Sequence, residues 1–208
     1  MSKGPDTLSK IKRSLLRYSD TETEYFHDIN SYLRTRVTGD RTNEELESDI
    51  QNIDQGFQFP GEYTLSRNNM KVYRGIDKDL GMKINDNVIV KSFISTSSDI
   101  EQAFHFTNHG SNCCLFELHL EDNIPYIDMK IYNPHEKEIL LPRNLLMTYI
   151  GERKQAYDYA GYSITVYIMK ISQPREITLD VVPSVQGGRR RKTRCNRSRI
   201  YNKTRRIK

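Results

Sequence analysis

Cysteine is scarce in this chain of 208 residues: there are three, with Cys113 beside Cys114 and Cys195 near the end. Adjacent cysteines cannot form an ordinary disulfide, so a disulfide framework is excluded and a reducing, intracellular compartment fits, cytoplasm or nucleus. There is no apolar run of about 18 residues and no signal-peptide core at the N-terminus, which points to a soluble chain not marked for secretion. Glycine loops of the Walker or dinucleotide-fold type are absent. His105 and His109 stand four apart, but no HExxH surrounds them and no carboxylate completes a ligand set, so no metal is expected. Apolar residues are few, at 36% with a mean hydropathy of −0.72, so part of the chain is expected outside the packed core. One stretch lacks acid altogether. Residues 187–208 hold eleven Lys or Arg and no Asp or Glu, leaving 21 basic against 27 acidic residues in 1–186, a net charge near −6. The overall +5 therefore describes the tail. Beyond Gly187-Gly188 that tail is expected to be disordered and to suit nucleic acid, another polyanion or an anionic lipid surface.

The first third has helical spacing: Leu8, Ile11 and Leu15, then Tyr25, Ile29, Tyr32 and Leu33. A third helix is expected to open at Thr42, with Glu45 completing a capping box, and to fade near Gly56. Residues 56–68 read mostly as loop. From Met70 the pattern becomes strands: MKVYRG, NVIVKSFISTS, CCLFELHL, IPYIDM, KEILLP, LLMTYIGE, YSITVYIMKIS and EITLDVV. One helix interrupts them, with Ser98 as its expected N-cap and Glu101 as its capping-box partner. Helices followed by about eight strands predict an α+β domain. The expected division is a helical region over 1–69, a strand-rich core over 70–186 that makes one domain with it, and the basic tail over 187–208.

Three motifs stand out among the strands. In VYRG, Val72 and Arg74 share a face, so a guanidinium leaves an otherwise apolar surface, and Gly75 follows it. Such an arginine can clamp phosphate or carboxylate, or simply be a surface residue before a turn. In SFISTS, Ser95 and Ser97 share a face with Phe93, and Thr96 lies opposite. The hydroxyls can orient a ligand or a carboxylate, or can be a strand end shedding polar groups into water. In HEKEIL, the two-residue period puts Glu136 and Glu138 on one face, where they repel unless water or a cation lies between them.

Taken in this order and on strands, the three motifs resemble the mono-ADP-ribosyltransferases of the arginine–serine–glutamate type, a family of bacterial toxins and animal ecto-enzymes. The resemblance runs from about Val72 to Tyr149. It implies helices packed on a split, mostly antiparallel β-sheet core, and the transfer of ADP-ribose from NAD to a protein acceptor with release of nicotinamide. By the resemblance Glu138 stabilises the ribose cation and Ser95 orients Glu138 or the nicotinamide side. Arg74 holds phosphate or ribose, and the Gly75 backbone holds the carboxamide. Thr96 and Ser97 belong to the same NAD-binding motif. Glu136 then faces the acceptor, where glutamate goes with arginine, and Tyr132 resembles the aromatic that holds the acceptor. Phe104 or Phe106 is expected on the nicotinamide, although either fits a core position. Where some relatives carry a second basic residue, this chain reads HFTNHG, so Arg67 is an alternative source of charge for the phosphates. Two other readings stay open: an NAD glycohydrolase, and an inactive scaffold that binds nucleic acid through the tail.

Overall fold

The computed structural model describes residues 5–20, 22–37, 41–77, 81–107, 113–132, 137–157 and 162–174. Three helices come first: α1 (Pro5–Tyr18), α2 (Tyr25–Thr35) and α3 (Asn43–Gly56). Their apolar stripes meet in one core with Ile11, Leu15, Ile29, Leu46 and Ile53 at its centre. A polar clasp ties the three together. Asp49 accepts from Ser14 and from Tyr25, both at 2.6 Å, and pairs with Arg17 at 2.8 Å. Thr42 caps α3 by accepting from the Glu45 N–H, while the Glu45 carboxylate pairs with Arg17 rather than returning to the cap.

The strands are β1 (Thr64–Leu65), β2 (Lys71–Ile76), β3 (Asn87–Val90), β4 (Ile94–Ser97), β5 (Cys114–Leu120), β6 (Pro125–Asp128), β7 (Glu138–Leu141), β8 (Leu145–Tyr157) and β9 (Tyr162–Ser172), with a 3-10 turn at Met129–Ile131 and α4 (Ile100–His105) after β4. Their order is β1-β6-β7-β4-β2-β5-β9-β8-β3, and all neighbours are antiparallel except β5 and β9. Between β4 and β2 a single residue pair, Tyr73 with Ser97, holds the order together. There the sheet splits.

The half carrying β1, β6, β7 and β4 turns one face to the helices through Phe93, Ile127 and Leu140. Its other face packs on the second half: Ile94, Ile139 and Leu141 meet Val72, Phe116 and Met169. On the far side of that second half, Ala103 and Phe104 of α4 cover Leu115, Ile164 and Val166.

Several local expectations are corrected. The run NVIVKSFISTS is two strands, because β3 pairs with β8 at one edge of the order while β4 sits between β2 and β7. The N-cap of α4 is Asp99, which accepts from Glu101 and Gln102; the Ser98 N–H donates to the Lys137 carbonyl instead. Asp caps a helix as well as Ser does, and the Asp99 side chain takes two N–H groups of the first turn. Strand β7 starts at Glu138, and Lys137 is in the left-handed region at φ 48°, so the two-residue period does not run back through it. The EITLDVV strand and the whole tail lie outside the described residues, as does Glu136.

Candidate active site

Arg74, Ser95 and Glu138, from β2, β4 and β7, line one cavity of about 310 Å³. They meet because the sheet splits beside them. Arg74 leaves β2 on the face shared with Val72 and Ile76, and its Nη1 donates to the Ser95 carbonyl at 2.6 Å. Loss of water around the half-buried guanidinium pushes it below its usual value, yet it stays charged at neutral pH. Glu138 is 8% exposed, an unusual place for a carboxylate. On β4 and β7, Ser97 stands opposite Glu138 and Ser95 opposite Leu140, so both serines share the glutamate's face.

The other hydroxyls of the motif hold the site together. Thr96 Oγ1 donates to the Ile139 carbonyl at 2.6 Å and fastens β4 to β7. Ser97 Oγ accepts from the Asp99 N–H at 3.1 Å and so leads into α4. Lys137 Nζ pairs with Asp99 at 2.6 Å, tying the approach to Glu138 to the same helix start. That contact is the main reason the Asp99 carboxyl is held below its usual value.

Gly75 lines the cavity, and its lack of a side chain has a second cause. A Cβ there would lie 2.5 Å from the Ala103 carbonyl and 2.8 Å from Thr107 Cγ2, so α4 can approach β2 only over a glycine. Phe104 is corrected: it is 6% exposed and belongs to the core under α4. Of these two phenylalanines it is Phe106, 53% exposed, that lines the cavity. Helical spacing turned Phe104 inward beside Ala103, and α4 ended before Phe106 could follow.

Tyr132 is not in this cavity. It packs against the helical core with its hydroxyl buried beside Glu62 and unpaired among the described residues; burial and that carboxylate push it up to about 12. Arg67 lines a different concavity, with Pro60, Tyr63 and Tyr126.

The helices supply residues that the motifs do not reveal. Tyr18, His27 and Phe26 line the cavity, and Arg34 of α2 is near enough for its charge to oppose that of Arg74. Asn30 reaches the Tyr18 hydroxyl at 2.9 Å. The sequence held one signal for this group: Asn30 is a polar residue among the apolar positions of α2, buried beside Ile29, Tyr32 and Leu33.

The cavity at the joint of the split sheet is thus walled by Arg74, Ser95 and the buried Glu138. The sequence model of the family described as ADP-ribosyltransferase exoenzyme matches residues 9–170, and the chain belongs to that family. Its members take NAD as substrate.

The fold is similar to that of the ADP-ribosylating toxin BECa of a binary enterotoxin of C. perfringens, solved with NADH, at 18% identity and a TM-score of 0.60. That match covers 79% of this chain and 43% of the toxin, so the chain spans less than half of BECa. It is also similar to the ADP-ribosyltransferase Vis of Vibrio splendidus, solved with agmatine, at 16% identity and a TM-score of 0.61 over 82% of this chain and 78% of Vis. The C3 exoenzyme of Clostridium limosum is similar at 15% identity and a TM-score of 0.55, over 79% of this chain and 86% of its own. At these identities the likeness is one of fold. Among curated proteins, none matches the chain in sequence.

Proposed function

We propose that the chain transfers ADP-ribose from NAD to an arginine of an acceptor protein. The observation that carries this reading is the meeting of Arg74, Ser95 and the buried Glu138 in one cavity. In the reaction the bond between ribose C1′ and the nicotinamide nitrogen breaks, and its electron pair leaves with neutral nicotinamide. No general acid is needed for that departure. Positive charge develops on the ribose, as in glycoside hydrolysis, and a carboxylate fixed beside it favours the transition state over the ground state. Glu138 takes that role, and Ser95 orients it.

Arg74 binds the pyrophosphate, with Arg34 of α2 as the second cation in place of Arg67. Phe106 offers its face to the nicotinamide or its departing ring. An acceptor guanidinium nitrogen then bonds to C1′ and loses a proton. A guanidinium is a poor nucleophile until a base takes that proton, and Glu136 is the base. Support for arginine comes from the glutamate at 136 and from Vis, a protein of similar fold that was solved with agmatine, an arginine analogue.

Nicotinamide release with and without agmatine tests the reading. Release that rises with agmatine, with the conjugate detected by mass, is the expected result. Release indifferent to agmatine would replace the arginine acceptor with water or another group.

A further inference from the structure

The cavity wall contains a hydrogen-bond chain that the reaction above leaves unused. Tyr18 ends α1, and its hydroxyl is buried with the residue only 1% exposed. Asn30 Nδ2 donates to that hydroxyl at 2.9 Å, and Ser95 Oγ lies 3.3 Å from it. An amide nitrogen can only donate, so it occupies a lone pair of the phenol oxygen. With the amide donating, Ser95 Oγ is the acceptor left for the phenol proton among the described residues. Burial pushes the Tyr18 phenol up, so that proton stays in place. The ring cannot turn away, because Phe26 and Phe93 meet it edge-on with centroids 6.4 and 5.9 Å distant.

Ser95 keeps its own proton for the cavity and for Glu138, its diagonal neighbour across β4 and β7. A contact of 3.3 Å is long for two hydroxyls, and bonds of this kind shorten when substrate closes the site. Asn30 is 7% exposed, and its Oδ1 is buried without a partner among the described residues. An apolar residue at that place would avoid the cost of an unpaired carbonyl. The amide is therefore explained by what its nitrogen does.

We propose that Asn30 and Tyr18 are positioning residues: a one-way hydrogen-bond chain running from α2 through α1 fixes Ser95 as a donor toward Glu138 and the ribose. This rests on the reading that Glu138 stabilises the ribose cation. It also gives the helices a direct part in the chemistry, since the direction of one serine proton is set from outside the sheet.

A double-mutant cycle on the full chain tests it, reading nicotinamide release from NAD with the unfolding temperature of each variant measured alongside. Tyr18→Phe keeps the ring and its packing. Its kcat is expected to fall about 5- to 20-fold with KM for NAD within about twofold, while in a Ser95→Ala background the same change costs less than about twofold. Asn30→Asp, assayed at pH 8 where the carboxylate only accepts, reverses the chain and is expected to lower kcat at least as far. Equal losses from Tyr18→Phe with and without Ser95 would overturn the proposal. So would a rise in KM in place of the fall in kcat, or an Asn30→Asp variant as active as the unaltered protein. If the unaltered protein releases no nicotinamide, the transferase reading itself fails; if it does and Tyr18→Phe changes nothing, only the relay fails.

Discussion

Two carboxylates and two phenylalanines carry the sharpest expectations for single residues. Glu138→Gln keeps the shape of the side chain and removes its charge, so nicotinamide release should drop by roughly 100-fold or more. Glu136→Gln should lose transfer to agmatine and keep part of the NAD hydrolysis. Equal loss of hydrolysis in both variants would end the division of labour assigned to them. The phenylalanines should separate in the opposite sense. Phe104→Ala empties a core position and should lower stability by about 3–5 kcal/mol. Phe106→Ala should leave stability nearly unchanged and raise KM for NAD by about 2- to 10-fold, the worth of one aromatic face. Chemical denaturation and steady-state kinetics on the same two proteins check both halves.

Elements are placed by contacts that no single strand or helix announces. The approach of α4 to β2 depends on Gly75. Gly75→Ala sets a methyl against the backbone of Ala103, and the strain should lower stability by about 1–3 kcal/mol as read from the denaturant midpoint. Because Phe106 directly follows the end of α4, KM for NAD should rise with it.

A second element-level feature joins β2, β5 and β8. Glu117 is buried, with Lys71, His119 and Arg153 at 3.0, 2.7 and 2.8 Å. Burial alone would push its carboxyl up, but the three partners outweigh that and bring it down to about 2 from 4.5. The folded form therefore holds its proton less readily than the unfolded chain. The stabilisation is complete above pH 4.5 and drains away as the pH falls toward 2. About 1–2 kcal/mol is expected to be lost over that window, allowing for solvent at the open side of the cluster. In Glu117→Gln the acid limb of a stability–pH curve should flatten. An unchanged limb would show that the network contributes nothing.

On the scale of the molecule, the helices wall the candidate site as well as building the core. The core of α1, α2 and α3 continues into Phe93, Ile127 and Leu140 of the sheet, and Tyr18, Asn30 and Arg34 stand at or beside the cavity. A chain starting at Met70 should accordingly fail to give cooperative unfolding and fail to bind NAD, in contrast to the full chain. If such a truncated protein folded and bound NAD, the helices would be an accessory. The basic extension is a separate matter. We propose that residues 187–208 bind polyanions; the full chain should be retained on heparin to higher salt than a chain ended at 186.

Much of this was legible in one dimension. The helix stripes, the strand runs and the chain order of Arg74, Ser95 and Glu138, each on a strand of its own, are patterns that survive in a sequence. What the sequence could not determine lay where distant segments compete for one place. Phe104 and Phe106 are alike in composition and spacing, and only the end of α4 sends one to the core and the other to the cavity. Tyr18 and Asn30 look like members of two helix stripes until α1 and α2 are laid across the split in the sheet. Arg67, a candidate cation on paper, lines a different concavity. Tertiary structure decided these placements, because a cavity forms at the single-pair joint of β2 and β4 and takes whichever side chains the packed helices bring to it.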